Sequence, residues 1–297
     1  MNLLIDGNNL VWRSSSQVVL SHNGRNTEVA FIGAKQLMSY INKFKPEDIL
    51  VVWDGGHDER RKALYPDYKK KREYTEEEEL DFKAFYEQVH DFRMFLTAIS
   101  IKQMQCRGRE ADDVIATLVE EEIMGENICI ISNDEDYVQL LRDGVKLYFP
   151  KKKELLTKEI YEAEMGFPVK EYPTYKAMIG GHDNIPGIKG IGSVGAKAVM
   201  QYITASGTPI EPIGRAGKAL NLFDARDTDF SDMVKVCKFM KISLLELSAG
   251  EIPAVDPESI EDWEDNAKRV LKFFGFKSWL EHFDVMFKPV FEKIAMV

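Results

Sequence analysis

The sequence of 297 residues predicts an α/β protein with a central, mostly parallel sheet, helices on both faces, and a second, mostly helical region. Short apolar runs alternate with amphipathic helical patterns in the first half of the chain, as βαβ units require. Acidic residues follow these runs in four connections. Ligands of parallel sheets lie beyond the carboxyl ends of the strands, so these acids are placed to form a site.

The first two predicted strands end in the same way. Residues 2–5 form an apolar run closed by Asp6, and residues 49–53 form a second run closed by Asp54. Both runs are typical of buried parallel strands. Apolar residues at helical spacing over 29–44 predict the helix that connects them.

The following elements continue the alternation. A charged excursion at about 57–90 precedes the third strand, and further acids stand at a helix start and in the turn after a strand. The predicted elements are a helix at 77–99, a strand at 101–106, a helix at 111–122, a strand at 127–131, a helix opening at 137–141 and a strand at 145–149.

A helical region is predicted from residue 158 onwards, where strand-like runs cease. The predicted domains are therefore a core at 1–157 and a helical region at 158–297, with a linker near 250–257. The predicted helices of the second region lie at 160–165, 172–179, 195–203, 212–222, 230–247 and 261–274.

Composition places the chain among folded intracellular proteins. Hydrophobic residues make up 44% and charged residues 30%, and no apolar run is long enough to span a bilayer. The three cysteines, Cys106, Cys129 and Cys237, are far apart, which favours free structural thiols. A net charge of −10 argues against general nucleic-acid binding, although basic residues are concentrated at 60–72.

Convergent acids are the main functional signal. A single Asp after a strand is usually a turn former or a helix cap. Many acids at one sheet edge would repel each other unless divalent cations neutralised them. All-oxygen ligands select hard ions, Mg²⁺ with Mn²⁺ as a substitute, and the size of the cluster suggests two ions. The acids concerned are Asp6, Asp54, Glu110, Asp112, Asp113, Asp134 and Asp136.

A basic segment and a glycine-rich segment are candidate DNA contacts. Most charge runs are solvated helix faces, but aromatic rings interrupt this one, and cations alternating with rings suit a nucleic-acid strand. Glycines at 187–195 would let backbone amides approach a phosphate, although an ordinary turn between helices is the alternative. The candidate contacts are Arg60, Arg61, Tyr68, Lys70, Lys71, Lys189, Gly190, Gly192 and Lys197.

Six motifs in order resemble those of the flap endonucleases and 5′→3′ exonucleases, including the nuclease domain of bacterial DNA polymerase I and the stand-alone bacteriophage enzymes. The resemblance covers most of the chain but weakens over the last hundred residues. The matching segments are Asp6-Gly7-Asn8, Trp53-Asp54-Gly55, and residues 64–72, 110–113, 132–141 and 183–192.

The resemblance implies roles for these residues. The seven acids and Asp183 would bind two divalent ions, and Lys69 and Arg72, on an arch helix, would contact the scissile phosphate. Tyr68 would stack on a terminal base. A helix-three-turn-helix element at about 176–204 would grip duplex DNA, with K⁺ bridging backbone carbonyls and a phosphate.

One departure from the family pattern affects the second metal site. Relatives place an extra Asp ahead of the Asp-Asn pair, whereas Gly180-Gly181-His182-Asp183-Asn184 is one residue shorter and lacks that acid. His182 is a candidate outer-shell group, but a lone loop histidine is more often solvated. A junction-binding protein with weak or lost cleavage is therefore an alternative. A phosphatase of small substrates is a third hypothesis, which explains neither the basic segment nor the glycine-rich turn.

The predicted function is a metal-dependent, structure-specific 5′-nuclease of replication or repair. Its expected substrates are DNA with 5′ flaps, nicks or free 5′ ends, and RNA–DNA hybrids are further candidates. We expect a monomer in the cytoplasm of a bacterial or phage-infected cell, without a membrane partner.

Overall fold

A computed structural model of the protein describes residues 1–14, 20–70, 74–181, 183–205, 215–224, 226, 230–252 and 260–295. The chain divides into two compact units that are interleaved along the sequence. Unit 1 comprises residues 1–56, 73–132 and 242–297, and unit 2 comprises residues 57–72 and 133–241. The boundary predicted between residues 157 and 158 falls inside unit 2. Each compact unit combines segments that are distant in the sequence, so a single boundary along the chain does not separate the two units.

Nine strands are found in the described part of the chain. Three of them, β2, β3 and β9, are only two residues long and have no counterpart in the sequence prediction. The strands are β1 (Asn2–Asp6), β2 (Ser21–His22), β3 (Arg25–Asn26), β4 (Ile49–Trp53), β5 (Lys102–Gln105), β6 (Ile128–Ile131), β7 (Val145–Phe149), β8 (Glu154–Leu156) and β9 (Glu251–Ile252).

Helices occupy most of the remaining described chain. The α-helices are α1 (Gly7–Ser14), α2 (Glu28–Phe44), α3 (Glu59–Leu64), α4 (Glu76–Ala98), α5 (Ala111–Glu120), α6 (Lys158–Met165), α7 (Tyr172–Ile179), α8 (Ser193–Thr204), α9 (Arg215–Asp224), α10 (Phe230–Cys237), α11 (Leu244–Gly250), α12 (Ile260–Phe273), α13 (Lys277–Glu281) and α14 (Lys288–Ala295). Short 3₁₀ turns lie at Glu135–Leu140 and Val169–Glu171, and a π turn lies at Phe283–Phe287. None of the described helices combines the length and apolar character needed to cross a bilayer.

The main sheet of unit 1 has five described strands in the order β6-β1-β4-β5-β9, and β2 and β3 pair separately. Strands β6, β1, β4 and β5 are parallel, and β9 pairs with β5 in the antiparallel direction. Leu3, Leu4 and Ile5 of β1 are fully buried, as expected for a parallel strand covered on both faces. The predicted α/β class, with acids at the carboxyl ends of parallel strands, is confirmed.

Close packing at the start of α1 requires a glycine. A Cβ atom on Gly7 would lie 2.6 Å from the indole ring of Trp53 at the end of β4. Glycine therefore allows α1 to begin directly after Asp6 and to lie against β4. This packing brings the carboxyl ends of β1 and β4 together within unit 1.

Unit 2 consists of the β7–β8 hairpin and helices α3 and α6 to α10. One of its apolar clusters joins Tyr68, which follows α3, to Ala177 of α7, Ile185 of the glycine-rich turn and Met233 of α10. The base of the basic segment and the glycine-rich turn are thus parts of one packed body. The three cysteines are buried thiols that form no disulfide, as predicted.

Three predicted elements differ from the structure. The helix expected at 230–247 is two helices, because Ser243 and Glu246 form a reciprocal capping pair that starts α11. The helix expected to open at 137–141 is the 3₁₀ turn Glu135–Leu140. The excursion at 57–90 is not one insertion, since residues 57–72 pack in unit 2 and residues from 73 onwards pack in unit 1.

Candidate active site

Asp6 lies at the end of β1 with both carboxylate oxygens engaged. The backbone N–H of Asn9 donates to Oδ1 at 2.9 Å, and the hydroxyl of Ser132 donates to Oδ2 at 3.0 Å. The side chain is 9% exposed. These two hydrogen bonds fix the orientation of the Asp6 carboxylate at the end of β1.

Asp54 links the end of β4 to the start of α5. The backbone N–H of Ala111 donates to Oδ1 at 2.7 Å, and Nδ2 of Asn8 donates to Oδ2 at 2.7 Å. The Asn8 side chain in turn accepts the N–H of Asp54 at 3.2 Å. Because the free amides at a helix N-terminus favour anions, Asp54 is held where its charge is stabilised.

The N-cap and first turn of α5 together carry three further acids. Glu110 is the N-cap residue and Asp113 is fully buried, whereas Asp112 is partly exposed and accepts the N–H of Asp113 at 2.7 Å. Unit 1 therefore brings Asp6, Asp54 and the start of α5 to the same edge of its sheet. Buried carboxylates are costly unless positive groups or donors compensate them.

A second group of acids lies in unit 2, after β6. Asp134 accepts the N–H of Asp136 at 2.9 Å, and the Asp136 carboxylate forms a 2.7 Å ion pair with Lys176. Desolvation and then the charge of Asp136 raise the pKa of Asp134 to about 6. The Asp134 side chain also reaches solvent, so its desolvation by the surrounding protein is partial, and the nearby charge of Asp136 adds to the effect.

Two partners of Asp136 were not found by sequence reasoning. Lys176 and Tyr172 lie on α7, and the Tyr172 hydroxyl donates to Asp136 Oδ1 at 3.3 Å. Burial disfavours the charge of Lys176, but the Asp136 carboxylate outweighs it and raises the pKa of the ammonium group. Burial and the same carboxylate raise the pKa of Tyr172. The i, i+4 spacing on a predicted helix was the available signal.

The donor chemistry of both acid groups suits a hard cation, because every candidate ligand is a carboxylate oxygen. Within the described ranges, however, no three Asp, Glu, His or Cys side chains are arranged to hold a metal ion. The prediction that these eight carboxylates bind metal ions stays a prediction. His182 lies outside the described residues.

The basic segment departs from prediction at several residues. Lys69 lies in a turn after α3 and not on a helix, and its backbone N–H donates to the carbonyl oxygen of Asp183 at 3.1 Å. Arg72 and Lys71 lie outside the described residues. The roles predicted for these three side chains remain predictions.

Two candidate DNA contacts in this segment are corrected. Arg61 is 2% exposed and donates to the carbonyl oxygens of Val236 and Lys238 at 3.2 and 3.3 Å. Tyr68 is 3% exposed within the apolar cluster of unit 2. Neither side chain is accessible to a DNA strand, because both complete the core beneath the segment. Sequence reasoning took them for surface residues since their neighbours are charged.

The other candidate contacts are at the surface or partly exposed. Arg60 pairs with Asp58 and donates to the carbonyl oxygen of Lys241 at 2.7 Å, and Lys70 pairs with Asp67 at 2.9 Å. Lys197 donates to the carbonyl oxygen of Glu164 at 2.6 Å. Lys189, Gly190 and Gly192, in the glycine-rich turn before α8, are exposed.

An exposed aromatic group on unit 1 was also missed. Trp12 of α1 is 49% exposed and stacks on Phe85 of α4, with ring centroids 4.5 Å apart. Tyr86 is 60% exposed beside Phe85. Exposed rings of this kind offer flat faces to unpaired bases. Trp12 stands close to Asp6 in the sequence, but its exposure depends on the fold and cannot be read from its neighbours.

Comparison with known proteins identifies the class and the family. The model of the 5′-3′ exonuclease N-terminal resolvase-like domain matches residues 1–166, which contain the acidic ends of β1 and β4 and the start of α5. A 5′-3′ exonuclease is a nuclease that hydrolyses phosphodiester bonds, so this match defines the class of protein. The chain belongs to the 5′-3′ exonuclease family.

Individual relatives agree with this assignment. The chain is 27% identical to the 5′-3′ exonuclease of Aquifex aeolicus over 98% of its length and 97% of that protein. It is 30% identical to flap endonuclease Xni of Shewanella piezotolerans, covering 72% of this chain and 82% of that protein. DNA polymerase I of Caldicellulosiruptor bescii matches 67% of the chain at 30% identity, over 24% of the polymerase. The predicted resemblance is confirmed.

Solved structures share the fold. The T5 5′-exonuclease with bound divalent zinc ions has a TM-score of 0.64 at 22% identity, covering 92% of this chain and 99% of that chain. Flap endonuclease-1 from Methanococcus jannaschii has a TM-score of 0.58 at 15% identity, covering 99% and 92% respectively. These likenesses establish the arrangement of strands and helices.

Proposed function

We propose that this nuclease is a metal-dependent, structure-specific 5′-nuclease of branched DNA. The observation that carries the proposal is the acidic edge of unit 1, where the Asn8 side chain and the Ala111 N–H both donate to Asp54 and where Asp6 ends the neighbouring strand β1. Flap endonuclease and 5′-3′ exonuclease activities of the relatives support the same reaction. DNA with 5′ flaps, nicks or free 5′ ends is the proposed substrate, and RNA–DNA hybrids are a second proposed class.

Divalent cations are the proposed cofactors, two Mg²⁺ ions with Mn²⁺ as a substitute. The side chains proposed as ligands are Asp6, Asp54, Glu110, Asp112, Asp113, Asp134, Asp136 and Asp183. Bound ions of this kind lower the pKa of water and stabilise the leaving oxygen of a phosphodiester. The zinc-bound T5 5′-exonuclease supports the choice of a divalent ion.

The remaining residues are proposed to bind and orient the DNA. Lys69 would stabilise charge on the scissile phosphate, and the exposed ring of Trp12 would stack on an unpaired base. The N-terminal amides of α8, with Lys189 beside them, would bind a duplex phosphate. A K⁺ ion at this element and the contribution of Arg72 are also proposals.

Cleavage of a 5′-labelled double-flap DNA in Mg²⁺, read at nucleotide resolution, tests this function. Asp134→Asn is expected to abolish cleavage and to leave flap binding intact, because it removes charge without changing shape. Lys69→Ala is expected to slow cleavage far more than it weakens binding.

Junction binding without efficient cleavage is the second candidate, favoured by the missing acid before Asp183. Tight flap binding without cleavage across Mg²⁺ and Mn²⁺ titrations would support it. Cleavage of a simple phosphomonoester but no DNA would instead indicate a phosphatase.

A further inference from the structure

A set of hydrogen bonds joins the base of the basic segment to the glycine-rich turn within unit 2. The Tyr65 hydroxyl donates to the carbonyl oxygen of Asn184 at 3.0 Å. The Asn184 amide donates to the carbonyl oxygens of Asp67 at 3.1 Å and Lys70 at 3.4 Å. Since both acceptors are carbonyl oxygens, the nitrogen of the amide must face them. We call these contacts the Asn184 clamp.

The residues on both sides of the clamp have restricted backbones. Asn184 has a φ of 62° and Lys69 a φ of 45°, in the left-handed region that costs energy for most side chains. The Lys69 N–H donates to the Asp183 carbonyl oxygen, directly beside Asn184. The backbone position of Lys69 is therefore set by residues 183 and 184, more than a hundred positions away.

The glycine-rich turn that carries the clamp is itself held by backbone hydrogen bonds and by a buried side chain. The Gly181 N–H donates to the Ile185 carbonyl oxygen at 3.1 Å, and the Ile188 N–H donates to Met178 of α7 at 2.8 Å. Ile185 is buried in the cluster that also contains Tyr68. A movement of this turn would therefore be transmitted to residues 67–70.

We propose that Asn184 is a positioning residue that places Lys69 for cleavage when the glycine-rich turn binds duplex DNA. This inference rests on the proposed nuclease function and adds a coupling between DNA binding and catalysis. Asn184 acts through the main chain of residues 67–70 and does not touch the reacting phosphate. Its side chain is exposed, so its loss should leave the fold intact.

Single-turnover cleavage of the double-flap DNA tests the proposal with two variants. Asn184→Gly keeps the left-handed backbone and removes both side-chain donors. Asn184→Asp keeps the shape and turns a carboxylate oxygen towards two carbonyl oxygens. Both are expected to cleave about tenfold to a hundredfold more slowly, with unchanged DNA Kd and Tm, because small misplacements of a reacting group have effects of this size.

A double variant separates positioning from a general structural role. If Asn184 acts through Lys69, Asn184→Gly combined with Lys69→Ala will cleave no more slowly than Lys69→Ala alone. Asn23→Gly is the matched control, since Asn23 has a φ of 52° in the β2–β3 turn of unit 1. Multiplicative losses in the double variant, or a loss confined to Kd, would overturn the proposal.

Amide hydrogen exchange tests the clamp without any cleavage. Asn184→Gly is expected to speed exchange at Lys69 and Lys70 and to leave unit 1 unchanged. If the wild-type protein cleaves no DNA, the proposed function fails while this measurement still tests the clamp. Unchanged exchange at both amides would show that Asn184 does not hold them.

Discussion

Arg61 shows how one side chain in a basic run can serve the core. Its guanidinium satisfies two backbone carbonyls at the end of α10 and beyond, and it lies 5.8 Å from the centre of the Tyr68 ring. Arg61→Met is expected to lower the free energy of unfolding by about 2 to 3 kcal/mol, because buried acceptors lose a charged donor. Urea denaturation measures this change.

The control for Arg61 comes from the same segment. Lys70 is exposed and its ammonium forms a surface ion pair with Asp67, so Lys70→Ala should leave the free energy of unfolding unchanged. Equal stability of the two variants would contradict the structural role of Arg61.

Asp134 gives a pH-dependent prediction for the metal-free protein. Its pKa is raised from 3.8 to about 6, so ionisation of this carboxyl weakens the folded state. The loss of stability grows as the pH rises from 3.8 to about 6, and it is constant at higher pH. Asp134→Asn should therefore raise the Tm in EDTA at pH 7.5 and have no effect near pH 3.5. The gain will be modest because the side chain reaches solvent.

The neighbouring acid provides the opposite case. Asp136→Asn removes the partner of Lys176, whose ammonium is largely buried, and should lower the Tm at pH 7.5. The sign difference between the two variants is the decisive result. A lower Tm for Asp134→Asn would refute the crowding of Asp134 by its neighbours.

At the scale of elements, the turn between α7 and α8 depends on glycine. Gly187 has a φ of 66°, and a Cβ there would lie 2.8 Å from the backbone of Gly180 and Ile179. Gly187→Ala is expected to lower the free energy of unfolding by about 1 to 3 kcal/mol and to weaken duplex binding. Thermal denaturation and fluorescence anisotropy measure the two effects.

Gly192→Ala is the matched control for Gly187→Ala. It has an extended backbone, and a Cβ there would meet no atom within 4 Å. Gly192→Ala should keep the stability of the wild-type protein. A destabilised Gly192→Ala variant, or an unaffected Gly187→Ala variant, would show that the turn does not require the conformation described.

The sequence predicted elements well where local periodicity decides them. The strands at β1, β4 and β7 and the helices α2, α4 and α7 lie within about one residue of their predicted bounds. The short strand β9 was missed because its pairing with β5 is a long-range event. The division of the helix predicted at 230–247 has a local signal in the sequence, because Ser243 stands three residues before Glu246, as in a capping box.

The candidate site was only partly predictable from the sequence. Acids after strands could be placed at one sheet edge because parallel strands share a direction. The burial of Arg61 and Tyr68 could not be predicted, since it depends on α10, about 170 residues later. The ion pair between Asp136 and Lys176 likewise joins two segments whose proximity only the fold reveals.

For the whole molecule, metal binding should raise the free energy of unfolding. A cation that binds only the folded protein raises the free energy of unfolding by about 2.7 kcal/mol at a hundred times its Kd. Mg²⁺ should therefore raise the Tm in a saturable manner that EDTA reverses, and Asp54→Asn should reduce the shift. Differential scanning fluorimetry measures it. Cleavage in EDTA with no Mg²⁺-dependent shift in Tm would exclude metal dependence.

The interleaving of the two units has a consequence for biosynthesis. Residues 242–297 of unit 1 are translated after all of unit 2, and they supply β9 at the edge of β5 and the Trp263 indole that donates to the Ile99 carbonyl oxygen at 3.0 Å. We expect unit 2 to become compact on the ribosome while the sheet around Asp6 and Asp54 still has an open edge. A nascent chain would therefore fold helices α6 to α10 before the sheet that carries Asp6 and Asp54 is complete.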